Sequence, residues 1–214
     1  MNKQEERLIN TLSVLVSILE SRGAASSTHS LYVERLADTF YDELPASYHL
    51  KLDKGDLRLA ALLHDVGQSC IPAGTLGKAG KLTDAEKEKL KLHPEVSTAL
   101  LKNVGGYNKI LSGIKYHHER IDGKGYYGLK GKKIPVISRI LAILDTFLSV
   151  VTRKSYKPSR TYDDAIATLR LGMGSQFDAE LVEIFCAIPK SRIKECFEDA
   201  ENSFKMIKDI GINL

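Results

Sequence analysis

Long apolar runs are missing from this sequence of 214 residues. The nearest approach, LINTLSVLVSILE, is broken by Asn10, Thr11, Ser13 and Ser17. It is too short to cross a bilayer, so it reads as an amphipathic helix rather than a signal or membrane span. Cysteine is scarce too. Cys70, Cys186 and Cys196 are odd in number and lack a Cys-x-x-Cys spacing, so neither a disulfide framework nor a thiolate zinc site is expected, and a reducing cytoplasm fits. A large excess of either charge is lacking: the net charge is +4, and the lysines are scattered apart from a cluster at 120–133. That balance excludes wrapping of a nucleic-acid polymer but leaves a small phosphate-bearing ligand open. No low-complexity tract, repeat or alternating strand pattern interrupts the chain. With 43% hydrophobic residues the chain can bury a core unaided, and one all-α domain over 1–214 is expected.

What is present is helical periodicity. Leu8, Leu12, Leu15 and Leu19 predict a helix over 3–22, and Leu31, Leu36, Phe40 and Leu44 predict a second that stops before Pro45. Asp53 caps a third running to Gly67. Thr83 and Glu86 form a capping box for a fourth, and Pro94 opens a fifth that ends at Gly105-Gly106. A sixth runs through Ile110, Ile114 and His117-His118. The stretch RIDGKGYYGLKGKKIP has four glycines and no apolar period, which predicts a long loop of functional kind. Helices follow at 136–151, after Thr161 with Asp164, through FDAELVEIF, and in a tail over 189–208.

The chemistry-bearing residues are distributed across these elements. His29, His64-Asp65, His93, His117-His118 and Asp145 fall on different predicted helices and use five of the six histidines. A lone His-Asp pair is more often structural, and adjacent histidines on a helix point about a quarter-turn apart. Yet His64 follows AALL and Asp145 sits inside ILAILDTFL. A carboxylate in such a setting must be paired, protonated or metal-bound, because an isolated buried charge is costly. Metal satisfies all of them together. Imidazole and carboxylate without thiolate suit iron, manganese, zinc, nickel or cobalt, and the donors are enough for two ions of the kind that hydrolyse phosphate esters.

These residues lie in ordered blocks: HDVG (64–67), IPAGTLGKAGKLT (71–83), HPE (93–95), HHERIDGKGYYGLKG (117–131), IPVISRILAILD (134–145) and GMGSQFDAELV (172–182). Over roughly 25–187 the sequence resembles the HD-GYP family, the branch of the HD metal phosphohydrolases that hydrolyses cyclic di-GMP. The resemblance implies an HD-type helical bundle with additional C-terminal helices. It also implies one ion held by His29, His64, Asp65 and Asp145 and a second by Asp65, His93, His117 and His118, with Asp65 bridging. His64 and Asp65 would be catalytic. Cyclic di-GMP would be cut by a hydroxide held between the ions, giving linear pGpG and/or GMP. Gln68, Arg120, Tyr126, Lys154 and Lys157 would contact the substrate. Tyr126 and Tyr127 have a plainer reading as anchors of the loop.

Departures from the family pattern carry expectations of their own. Ala25 replaces a glutamate that some members use for a third ion, so two metals are expected. Gln68 replaces a lysine and cannot bring a positive charge to a phosphate oxygen. Gly125-Tyr126-Tyr127 replaces Gly-Tyr-Pro and loses proline's fixed φ. Leu148 and Lys154 stand where aspartate and arginine are common. The alternative readings are a weak or inactive receptor for a cyclic dinucleotide that docks a diguanylate cyclase (GGDEF) protein through the 120–133 loop, or another HD nucleotide phosphohydrolase. No sensory domain is expected ahead of the matched region.

Overall fold

The computed structural model describes residues 2–21, 28–76, 78, 80–152 and 160–209. Among them the regular structure is entirely helical: α1 Lys3–Ser21, α2 His29–Glu43, α3 Ala46–His49, α4 Lys54–Leu63, α5 Ala73–Leu76 and α6 Asp84–Lys91, then α7 His93–Val104, α8 Asn108–Lys115, α9 Val136–Val151, α10 Tyr162–Leu171, α11 Ala179–Ala187 and α12 Lys190–Asp209. The fold is an all-α helical bundle. Its starts follow local chemistry. The Asp53 carboxylate accepts the Asp56 N–H to open α4, and Thr83 with Glu86 closes a reciprocal capping box on α6. Thr161 and Asp164 do the same for α10, and Asp178 caps α11. Gly105, at φ 81°, accepts the left-handed backbone that stops α7.

α9 forms the centre of the bundle. Its Ile140, Leu141, Ile143, Leu144, Phe147 and Leu148 are fully buried, each such side chain contributing roughly 1.5–3 kcal/mol from area removed from water. Phe147 meets Phe185 of α11 edge-on at 5.1 Å, and Phe185 meets Phe40 of α2 at 5.4 Å, so three helices interlock through one aromatic cluster. A buried ionic joint ties α1, α2 and α4 together. Arg58 donates its Nε to Glu34 at 2.5 Å and its Nη1 to Glu6 at 2.9 Å. The helices joined in this way carry His29 at the start of α2 and His64 at the end of α4.

The structure departs from the expected helices in two places that matter. The third predicted helix ends at Leu63 rather than Gly67, and a 3-10 turn over Val66–Cys70 follows. A Cβ on Gly67 would lie 2.3 Å from the His93 carbonyl oxygen and 2.6 Å from the Ser97 nitrogen, so α7 crosses directly on this backbone. The sixth ends at Lys115, leaving His117 and His118 in the turn beyond it. The short α3 and α5 were not anticipated, because one helical turn has no readable period.

Candidate metal centre

Most of the candidate ligands sit at helix ends. His29 and His93 open α2 and α7, His64 caps α4, and His117-His118 follow α8; Asp145 alone is mid-helix, in α9. A turn removes the quarter-turn problem of adjacent helical histidines, and the rings of His117 and His118 lie only 4.0 Å apart. Three imidazoles are fixed in the same way. The Nδ1 of His64, His93 and His117 lies 2.7, 2.6 and 2.6 Å from the carbonyl oxygens of Ala61, Leu90 and Ile114. A carbonyl can only accept, so each Nδ1 holds a proton and each Nε2 is the nitrogen turned inward, the one a cation would take.

Those nitrogens converge on Asp65. Its Oδ2 lies 3.4 Å from His64 Nε2 and 4.0 Å from His29 Nε2, whereas its Oδ1 lies 3.1 Å from His93 Nε2 and 3.9 Å from His117 Nε2. One carboxylate thus presents one oxygen to each of two histidine pairs. Asp145 Oδ1 is 3.1 Å from His29 Nε2 on the first side, and His118 Nε2 is 3.2 Å from His93 Nε2 on the second. His29, His64 and Asp145 offer ligand atoms within 4.8 Å of one another, as do His93, His117 and His118. Despite the short contacts, His29 Nε2, His64 Nε2 and Asp65 Oδ1 are buried without a hydrogen bond of acceptable geometry. Buried polar atoms normally find partners, and a cage of orphaned donors to metal fits two divalent cations.

Electrostatics express the same crowding. Burial pushes His64 down, but Asp65 and Asp145 more than offset it and raise the imidazole to about 9. Burial and the neighbouring His118 hold His117 well below its ordinary value. His118 falls to about 4, mainly through burial and against the pull of Asp145. Burial raises Asp145, yet its contact with His29 dominates and keeps it ionised.

Around the centre the structure sorts the remaining candidates. Tyr126 packs on His118 with ring centroids 4.8 Å apart and is 40% exposed, so it backs a candidate ligand and also faces the cleft. Tyr127 anchors the loop, meeting Tyr116 edge-on at 5.4 Å. Arg120 is held by Asp122 through Nε at 3.1 Å and Nη2 at 2.8 Å, which takes one edge of its guanidinium. Gln68 is half-buried in the 3-10 turn. Lys154, Lys157 and Ala25 lie outside the described residues.

An open cleft of about 220 Å³ is lined by His117, His118, Asp145, Tyr126, Lys124 and Gln176, with Arg120 and Thr146 beside them. Sequence reasoning missed three residues here. Glu119 is buried and accepts the N–H groups of Tyr127 at 2.5 Å and Leu129 at 2.7 Å, which pins the loop; its place beside two histidines was the available signal. Glu20 of α1 accepts the Ser30 N–H at 3.0 Å, next to His29. Gln176 reaches the cleft from the turn after α10. No periodicity marks the last two.

A family model described as HD domain matches residues 13–181. The chain belongs to the HD domain family. Among curated relatives, this HD domain is 35% identical over 188 residues to the cyclic di-GMP phosphodiesterase response regulator RpfG of Xanthomonas campestris, covering 86% of this chain and 48% of the relative. It is 29% identical to 3′3′-cGAMP-specific phosphodiesterase 1 of Vibrio cholerae, over 77% of this chain and 38% of that protein. The chain spans about half the length of the curated relatives it matches, or less. A solved Vibrio cholerae cyclic GMP-AMP-specific phosphodiesterase shares the fold of this HD domain, with a TM-score of 0.64, 15% identity, and coverage of 92% of this chain and 53% of that one.

Proposed function

We propose that this HD domain is a metal-dependent phosphodiesterase that hydrolyses cyclic di-GMP to linear pGpG, and to GMP after a second cut. The observation that carries the reading is the division of Asp65, with one oxygen toward His29 and His64 and the other toward His93 and His117. His29, His64, Asp65 and Asp145 would hold one divalent ion, and Asp65, His93, His117 and His118 the other. The donor set suits iron or manganese, with zinc, nickel and cobalt compatible. Such a pair supplies an acidified water as nucleophile and neutralises charge on the phosphoryl group. A cytoplasmic site of action accords with the substrate.

The chain's own residues define the rest. The carbonyls of Ala61, Leu90 and Ile114 hold three imidazoles by Nδ1 with Nε2 turned inward, so those ligands need no reorientation, and a cation would displace any proton held there. Glu119 holds the loop that carries Tyr126 and Lys124 to the cleft. Lys124 and the second edge of Arg120, both in the cleft lining, would meet phosphate, and Lys154 and Lys157 are further candidates. Gln68 contributes a neutral amide at most, so phosphate charge is left to the ions and these cations.

The test is incubation of protein purified anaerobically with iron, or with manganese, with cyclic di-GMP. The expected result is linear dinucleotide. Tight binding without product would instead support the receptor reading, which Gln68 and Gly125-Tyr126-Tyr127 favour and in which the 120–133 loop docks a diguanylate cyclase. Turnover confined to other nucleotides would support a different HD phosphohydrolase.

A further inference from the structure

The walls of the cleft contain few polar groups that are not already engaged. Glu119 is spent on loop amides, and Arg120 turns one edge to Asp122. Among the described residues, the side-chain polar atoms of Lys124, Thr146 and Gln176 have no hydrogen-bond partner. Their chemistry differs. Lys124 is a point charge suited to phosphate, and Thr146 has a single hydroxyl. Only the carboxamide of Gln176 offers a donor and an acceptor side by side.

Gln176 is also held in place. Its N–H donates to the Gly172 carbonyl at 2.8 Å, and its own carbonyl accepts the Ile121 N–H at 3.3 Å. Its neighbour Ser175 accepts the Asp122 N–H at 2.8 Å, so the turn is stitched to the root of the loop. Phe177, 2% exposed, anchors the other side. A fixed backbone with a free amide in the same cleft as His117, His118 and Asp145 is suited to reading a ligand edge.

We infer that Gln176 is a specificity-determining residue that hydrogen-bonds the edge of one nucleobase of the bound cyclic dinucleotide, an inference that rests on the function proposed above. A carboxamide pairs with adenine through N6 and N7. Turned over, it accepts from guanine N1–H and donates to O6. The site therefore tolerates either purine. A carboxylate at 176 only accepts: guanine presents two donors to it, N1–H and N2–H, whereas adenine presents one amino group.

The test is equilibrium binding of cyclic di-GMP and of cyclic di-AMP to metal-loaded wild type, Gln176→Glu and Gln176→Leu, with bound metal measured in each. The wild type is expected to bind both within about tenfold. Gln176→Glu shifts the ratio toward cyclic di-GMP by about tenfold or more, and Gln176→Leu weakens both by about tenfold, the scale of a lost bidentate base contact. Metal content stays unchanged in both variants. If Gln176→Glu alters metal content, Gln176→Leu decides. Affinities unchanged in Gln176→Leu, or a ratio unchanged in Gln176→Glu at equal metal content, overturn the inference while leaving the proposed function standing. Wild type that binds neither dinucleotide overturns both.

Discussion

The Asp178 carboxylate, 6% exposed, accepts Arg139 Nη1 at 2.5 Å and Lys132 Nζ at 3.1 Å while capping α11. Burial alone would raise its pKa, but Arg139 and Lys132 outweigh burial and lower it. The stability it contributes is therefore present above the unfolded value near ~3.9 and is lost as pH falls through the lower folded value. Asp178→Asn should reduce stability at pH 7 by about 1.5–3 kcal/mol, the scale of hydrogen bonds to a charged group. Urea midpoints of the two proteins should draw together as pH falls below about 3.9; an equal gap at pH 7 and at pH 3 would contradict the pairing. The same contact takes Lys132 out of the basic cluster over 120–133, just as Asp122 takes part of Arg120. These pairings were not legible in the sequence, because loop residues have no period and their partners lie two to forty-six positions away. The histidines and aspartates were legible by type and by resemblance, since only a shared purpose explains such groups in apolar settings.

The decisive element is the short segment His64–Cys70 against α7. Gly67 N–H donates to Ser97 Oγ at 2.8 Å, and that hydroxyl donates onward to the His64 carbonyl at 2.8 Å. With no Cβ at 67, α7 comes close enough for His93 to face Asp65. Gly67→Ala should therefore separate the two halves of the centre. The expected outcome is a loss of about 1–3 kcal/mol from overpacking, with bound metal reduced more than helix content by circular dichroism. Full metal binding in a stable Gly67→Ala protein would show that the close approach is dispensable. The helix starts were readable here because capping residues act locally, as at Asp53, Thr83 and Thr161. The ends were less so: α4 stops at Leu63, short of the expected Gly67, because of a tertiary crossing, and α8 stops before His117, which leaves both imidazoles in a turn where they face one place.

At the scale of the whole molecule, the bundle brings five separate segments to one point. α2, α4, α7 and α9, with the turn after α8, are distant in sequence; the ionic joint of Arg58 with Glu34 and Glu6 and the Phe40–Phe185–Phe147 cluster hold α2, α4 and α9 in register, and Ser97 bridges α7 to Gly67 and His64. No described helix is long and apolar enough to cross a membrane. The central claim is that Asp65 joins two cation sites, and elemental analysis of anaerobically purified protein tests it most directly. The account predicts about two iron or manganese ions per chain in the wild type, and loss of both in a folded Asp65→Ala variant. A wild type with no bound metal after loading, or an Asp65→Ala protein that retains the full complement, would contradict it.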